Sequence, residues 1–80
     1  MLSELVSGKH VTGVKQSRKA VADGRAVKIF LARDADPAVT EPLENLCGER
    51  NVPFEYAGTM AEIGASCGIS IGAAVAALTK

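Results

Sequence analysis

The chain has few residues of the kinds that build metal sites, disulfides or membrane spans. Its 80 residues include one histidine and two cysteines; Cys47 and Cys67 lie twenty positions apart with no Cys-x-x-Cys pair, which excludes a conventional zinc site. We expect both cysteines to be buried and reduced. The longest apolar run, Ile71–Leu78, is far shorter than the roughly twenty residues of a membrane span. Polar residues interrupt Met1–Gly8 where a signal peptide needs an apolar run, so we expect a soluble cytoplasmic protein.

Length and composition fit one small globular domain. With 48% apolar and 22% charged residues, residues 1–80 are interpreted as a single domain, because two domains would each be too small to bury a useful core. The net charge of zero conceals a division: residues 1–33 carry +5, and residues 34–80 carry −5. This asymmetry indicates one basic face for an anionic partner; two ordinary solvated faces that attract each other are the alternative.

Short helical patterns alternate with short apolar runs along the chain. The predicted helices cover Ser3–Ser7, Val14–Asp23, a segment from Thr40-Glu41-Pro42 to about Arg50, and one that the capping box Thr59-Met60-Ala61-Glu62 opens and Gly68 closes. The predicted strands are His10–Thr12, Val27–Ala32, Pro53–Tyr56 and Gly72–Leu78. The strand at 27–32 is expected to be central and buried on both faces. This helix–strand alternation predicts an α/β fold with helices on both faces of a small sheet.

The second predicted helix is basic and begins at Thr12 or Gly13. Lys15, Arg18 and Lys19 lie at helical spacing on one side of it. Its first turn offers unpaired backbone N–H groups and the positive end of the helix dipole, both of which favour electronegative partners. The side chain of Gln16 can donate to and accept from a base edge. Together these groups suit recognition of a distorted nucleic acid, and a merely solvated basic face is the alternative.

The strongest candidates for catalysis are two aspartates. Asp34 and Asp36 follow the predicted central strand, where α/β enzymes usually place their active sites. Asp36 precedes Pro37, however, where an aspartate commonly caps a helix start. No nucleophile, lysine or histidine completes a catalytic set, since His10 is interpreted as a surface residue, and the evenly spaced glycines of Gly64–Gly72 match no phosphate loop. We therefore expect no enzymatic activity, no metal and no cofactor.

Four segments agree in order and spacing with the motifs of one family. They are Gly13–Lys19 for G-x-K/N-Q/E-x-x-K, Ala32–Pro37 for A-x-D-x-D-P, Asn51–Pro53 for G-V/I-P with Asn in place of Gly, and Ile63–Ala74 for L-G-x-A-C-G-I/V-x-V-x-A-A. In these segments the chain resembles the ribosomal protein L7Ae/L30e superfamily, the kink-turn RNA binders, and it looks closest to the short bacterial members. The resemblance implies a three-layer α-β-α sandwich around a four-stranded mixed sheet, without enzymatic activity.

The resemblance also implies a target, the kink-turn, which is a helix–bulge–helix RNA element bent at tandem sheared G·A pairs. Gly13 would allow close backbone approach, Lys15 and Gln16 would meet guanine edges, and Arg18 and Lys19 would hold phosphates. The expected RNA-binding residues are Gly13, Val14, Lys15, Gln16, Arg18, Lys19, Arg33, Ile69, Ser70 and Ile71. The expected partner is structured RNA, with ribosomal RNA among the candidates, and neither a membrane nor a small-molecule substrate. A protein–protein interaction module on the same fold is the alternative.

The segment Ile69–Ile71, called here the apolar loop, corresponds to the family's second contact, which lies against a bulged nucleotide. Ser70 stands where many members carry an acidic residue, so the preference among bulge nucleotides is open. Ile69 and Ile71 have a simpler alternative role, because an isoleucine at the end of a turn often packs into the core beneath it.

Overall fold

In a computed structural model that describes Leu5 and residues 8–80, the chain forms a four-stranded sheet flanked by three helices. The strands are β1 (His10–Thr12), β2 (Ala26–Leu31), β3 (Phe54–Tyr56) and β4 (Val75–Thr79). The helices are α1 (Val14–Ala22), α2 (Pro37–Arg50) and α3 (Met60–Ser66). The helix predicted over Ser3–Ser7 lies, apart from Leu5, outside the described residues.

The sheet is mixed, and helices cover both of its faces. The strand order is β1-β4-β2-β3, in which only the β2–β3 pair is parallel. Between the sheet and the helices α1 and α2 lies a core cluster of Ala20, Val21, Ile29, Leu31, Leu43, Cys47, Val75 and Ala77. A second cluster, beside α3 on the opposite face, consists of Leu5, Phe30, Ala32, Ile63, Ala73 and Ala76. The predicted α/β class and three-layer arrangement are confirmed.

Strand β2 is buried on both faces only in its second half. Ile29, Phe30 and Leu31 are buried, and consecutive side chains enter opposite clusters because a strand alternates its faces. The side chain of Val27, by contrast, is 44% exposed. Pairing with β3 starts only at Ile29, so the first half of β2 extends past the end of its neighbour. The prediction of complete burial for this strand was therefore wrong for its first residues.

Helix α2 begins three residues earlier than predicted. Asp36 is its N-cap: Oδ1 accepts a hydrogen bond of 2.9 Å from the Ala38 N–H, and Pro37 occupies the first turn. This aspartate–proline pair is a stronger start signal than Thr40, which is buried one turn further on. Pro42 consequently lies inside the helix, where it has no N–H to donate.

Strand β4 begins at Val75, three residues later than predicted. The residues before it are used differently, because the Ala73 N–H donates to the Met60 carbonyl of α3 at 3.0 Å. Gly72 and Ala73 thus lie against α3, whereas Ala74 packs against the first core cluster and its carbonyl accepts from the Ala32 N–H at 2.9 Å. The predictions for β1 and for the capping box of Thr59 and Glu62 are confirmed.

Candidate nucleic-acid interface

The start of α1 is fixed by backbone hydrogen bonds at a glycine. Gly13 is the N-cap, with φ 97° and ψ 162°, a conformation open essentially to glycine alone. Its N–H donates to the Val75 carbonyl at 2.8 Å, and its carbonyl accepts from the Ser17 N–H at 3.0 Å. Within the described part of the chain, no side chain caps the first turn, and no atom lies within 4 Å of the position that a Cβ on Gly13 would occupy. The first-turn N–H groups are therefore open to an external acceptor.

Helix α1 separates its polar side from its packing side. The side chains of Lys15, Gln16, Arg18 and Lys19 are exposed, whereas Ser17, Ala20 and Val21 are buried. Among the described residues, no ion pair involves the three cations of this helix. Val14 is half-buried and packs against the first core cluster, so its side chain faces the protein interior. The helix thus presents positive charge and one amide side chain to solvent.

The apolar loop is exposed rather than part of the core. Ile69 is 38% exposed and Ile71 is 73% exposed, and Ser70 between them is also exposed. A core role for these isoleucines, the alternative that the sequence left open, therefore does not hold for Ile71. An aliphatic side chain this exposed offers apolar area to a binding partner.

Backbone contacts with α3 hold the apolar loop. The Ile69 N–H donates to the Gly64 carbonyl at 3.0 Å, and the Ala73 N–H donates to the Met60 carbonyl. His10, half-buried within β1 rather than a surface residue before it, has its Nε2 at 3.4 Å from the Cys67 carbonyl. The chain on both sides of Ile71 is thereby tied to the fold.

The sheet topology brings the predicted site residues together at one end of the molecule. β1 and β2 both end where the antiparallel β4 begins, as the pairs Thr12–Ala76 and Leu31–Val75 show. α1 follows β1, exposed Arg33 follows β2 by two residues, and the apolar loop precedes β4. The start of α1, Arg33 and the apolar loop consequently share this end, although they are far apart in sequence.

The two aspartates that were weighed as catalytic groups both cap helices. Asp34 Oδ1 accepts a hydrogen bond of 2.8 Å from the Met60 N–H at the start of α3, and Asp36 caps α2. The partner of Asp34 lies 26 positions away, so sequence reasoning missed this cap. Capping gives both carboxylates a structural role.

The cysteines and acidic residues offer little for catalysis or metal binding. Burial, helped by the nearby charge of Glu44, raises the pKa of the Cys47 thiol, which keeps it protonated and weakly nucleophilic. Cys67 is half-buried rather than buried as expected, and both thiols are free. Across the described part of the chain, no group of three His, Cys, Asp or Glu residues is arranged to hold a metal ion. None of the helices formed by the described residues has the length and apolar content that crossing a bilayer requires.

Comparison with known proteins gives a consistent family relationship. A sequence profile of the ribosomal protein L7Ae/L30e/S12e/Gadd45 family matches residues 2–80. An RNA-binding protein of Caldanaerobacter subterraneus subsp. tengcongensis is 37% identical over 76 residues, which are 95% of this chain and 93% of that protein. The solved structure of a 15.5kD RNA binding protein from Giardia lamblia superposes with a TM-score of 0.87 at 28% identity, covering 99% of this chain and 71% of that one. A protein of unknown function from Bacillus halodurans C gives a TM-score of 0.90 at 25% identity, covering 99% and 83%.

Proposed function

Because the chain belongs to the ribosomal protein L7Ae/L30e/S12e/Gadd45 family, we propose that it is a non-enzymatic protein that binds kink-turn RNA. One observation carries the proposal. The start of α1, which no described side chain caps, and the exposed Ile71 lie at the same end of the neighbouring strands β1 and β4. Relatives named as RNA-binding proteins support the broader assignment. Structured RNA, including ribosomal RNA, is the partner class, and the cytoplasm is the expected location.

The start of α1 supplies the polar part of recognition. Gly13 carries no side chain, so RNA can approach the backbone closely, and the open N–H groups with the helix dipole favour electronegative atoms. Lys15 and Gln16, on the exposed side of the first turn, meet the guanine edges of the sheared pairs. Arg18 and Lys19, less than two turns further along, hold flanking phosphates, as a guanidinium and an ammonium do without reading sequence.

Arg33 and the apolar loop supply contacts on the other side of the same surface. Arg33, exposed two residues after the end of β2, adds a further phosphate contact. Burying Ile71 against an unstacked base contributes about 1–3 kcal/mol, the usual range for one large aliphatic side chain. Two contacts that fit only the bent RNA favour that form over the extended one, so binding shifts the population towards the bend.

Binding to matched RNAs tests the proposal. One oligonucleotide carries the kink-turn, and its control has both G·A pairs replaced by Watson–Crick pairs, at an ionic strength of about 0.15 M. We expect the kink-turn to bind at least about tenfold more tightly, a difference of roughly 1.4 kcal/mol. Equal affinity for the two RNAs would contradict kink-turn recognition and leave only general attraction to a basic face. Failure to bind either RNA would instead favour a protein–protein interaction module on the same fold.

A further inference from the structure

We propose that Gly64, a buried residue of α3, is the positioning residue that sets where Ile71 meets RNA. The inference rests on the proposed function, since it concerns how the apolar loop is presented. A Cβ built on Gly64 would lie 2.2 Å from the Ile71 carbonyl oxygen and 3.2 Å from the Gly72 Cα. Both neighbours are backbone atoms, so no side-chain rotation can relieve the contact, and the loop or the helix has to move.

The apolar loop is held in position by close packing of its backbone against α3, and not by the side chain of Ile71. Ile71 is 73% exposed, so its side chain contributes little burial that could hold the segment in place. The Ile69 N–H is bonded to the carbonyl of Gly64 itself, and the Ala73 N–H is bonded to Met60 one turn earlier in α3. The Ile71 carbonyl rests on Gly64 between these two bonds. Gly64 is therefore the place where the backbone of the loop reaches the helix.

The position of this glycine also indicates a packing role. α3 has only seven residues, and a glycine inside a helix destabilises it relative to alanine. Gly48 in α2 is a natural comparison, because no described atom lies within 4 Å of the position of a Cβ there. Alanine at position 48 is free of clashes, whereas alanine at position 64 cannot keep the loop where it is. The two substitutions are chemically identical and differ only in what the new methyl group meets.

The test combines four variants with two kinds of readout. The variants are Gly64→Ala, Ile71→Ser, the double variant, and Gly48→Ala as the control. Affinity is measured for the kink-turn RNA and for its Watson–Crick control, and amide hydrogen exchange is followed at Ile69 and Ala73, whose N–H groups are bonded to α3. Exchange reports on the position of the loop without any RNA, so it separates failure of this inference from failure of the proposed function.

We expect Gly64→Ala to speed exchange at Ile69 and Ala73 and to lower kink-turn affinity by roughly tenfold, as Ile71→Ser does. Affinity for the Watson–Crick control should stay unchanged, because α1 is untouched. The double variant should bind kink-turn RNA no more weakly than the weaker of the two single variants, since both substitutions remove the same contact between the apolar loop and RNA. Gly48→Ala should match the wild type in every readout of binding and exchange.

Three results would overturn the inference. The first is wild-type kink-turn affinity in Gly64→Ala with faster exchange, and the second is full additivity in the double variant. The third is unchanged exchange at Ile69 and Ala73 in Gly64→Ala, which would show that this glycine does not hold the loop. Absence of any kink-turn preference in the wild type would instead overturn the proposed function on which this inference rests. If Gly64→Ala does not fold, Gly72→Ala replaces it. A Cβ on residue 72 would lie 3.1 Å from the Met60 Cβ, a less severe contact than the one at position 64. We therefore expect a smaller loss of kink-turn affinity and a smaller increase in exchange. Unchanged kink-turn affinity in Gly72→Ala would contradict the inference.

Discussion

The start of α1 and the apolar loop lie at the same end of the sheet, but they are built in different ways. α1 is a nine-residue helix whose inner side is buried, and it presents cations and N–H groups. The apolar loop presents exposed isoleucine and is held through backbone contacts with a short helix. Charges act over a screening length of about 8 Å, whereas apolar contact requires approach within about 4.5 Å. Recognition by the loop should therefore depend much more strongly on the position of the backbone than recognition by the helix does.

The largest effect is expected at the glycine that begins α1. Gly13→Ala places a Cβ on a residue with φ 97° and ψ 162°, which costs about 1–3 kcal/mol of strain or forces the helix start to shift. Denaturant unfolding should show a free energy of unfolding lowered by that amount, together with weaker kink-turn binding. Gly48→Ala serves as the control and should not lower stability. Unchanged stability and binding in Gly13→Ala would mean that the helix start is not the fixed element described here.

Ile71→Ser should separate binding from stability. Because the side chain is 73% exposed, its loss should leave thermal unfolding unchanged, while kink-turn affinity falls by about 1–2 kcal/mol, roughly five- to thirtyfold. Ile69→Ser, at a position only 38% exposed, is the matched comparison and should cost more stability. The apolar contact would be refuted if the Ile71 variant melted early while its remaining folded fraction bound RNA normally.

Ser17→Ala should show that the packing side and the binding side of α1 are independent. The Ser17 hydroxyl is buried and has no hydrogen-bond partner among the described residues. Removing it should raise the free energy of unfolding by about 1 kcal/mol, since an unsatisfied buried hydroxyl is costly and alanine is the better helix former. Thermal melts and RNA titrations should show a higher midpoint with unchanged affinity. A loss of affinity would place this hydroxyl in the binding machinery.

Sequence reasoning succeeded where the determining interactions are local. The capping box of Thr59 and Glu62 and the exposed cations of α1 depend on residues within one or two turns, and the structure has them as predicted. Contacts between distant segments were missed. The cap that Asp34 provides to α3 and the packing of the Ile71 carbonyl on Gly64 join parts of the chain whose approach no local pattern reveals. The predicted start of β4 was wrong for the same reason, because Gly72 and Ala73 lie against α3.

Removing cations from α1 should have a smaller and more general effect. Arg18→Ala and Lys19→Ala should each weaken binding to all RNAs and lower the slope of log affinity against log salt by about 0.7–0.9 per lost phosphate contact. Gln16→Ala is the matched contrast, because it removes an uncharged side chain that contacts base edges. It should reduce the difference in affinity between kink-turn and control RNA, with little change in the slope of log affinity against log salt. Titrations at several salt concentrations distinguish the two kinds of change. An unchanged difference in affinity between the two RNAs in a folded Gln16→Ala variant would show that Gln16 does not recognise bases.

The smallest effect is expected at the centre of the apolar loop. Ser70 is exposed and uncharged, so Ser70→Glu adds a negative charge near RNA phosphates without disturbing the core. Overall kink-turn affinity should fall slightly. Discrimination among bulge sequences should increase, because RNAs with disfavoured bulges should lose more affinity than those with favoured ones. Ser70→Gln controls for size. Equal discrimination by the wild type and the Glu variant over a panel of bulge sequences would contradict a contact between this loop and the bulge.

The most direct test of the central claim is an amide chemical-shift titration of nitrogen-15-labelled protein with kink-turn RNA. If both regions bind one RNA, residues 13–19 and the apolar loop should shift together and saturate at the same ratio of RNA to protein. Amides of Ala26 and Thr79, which pair with each other at the opposite end of the sheet, should stay nearly unchanged. Shifts confined to α1, with the apolar loop unaffected at saturation, would contradict recognition by two joined contacts.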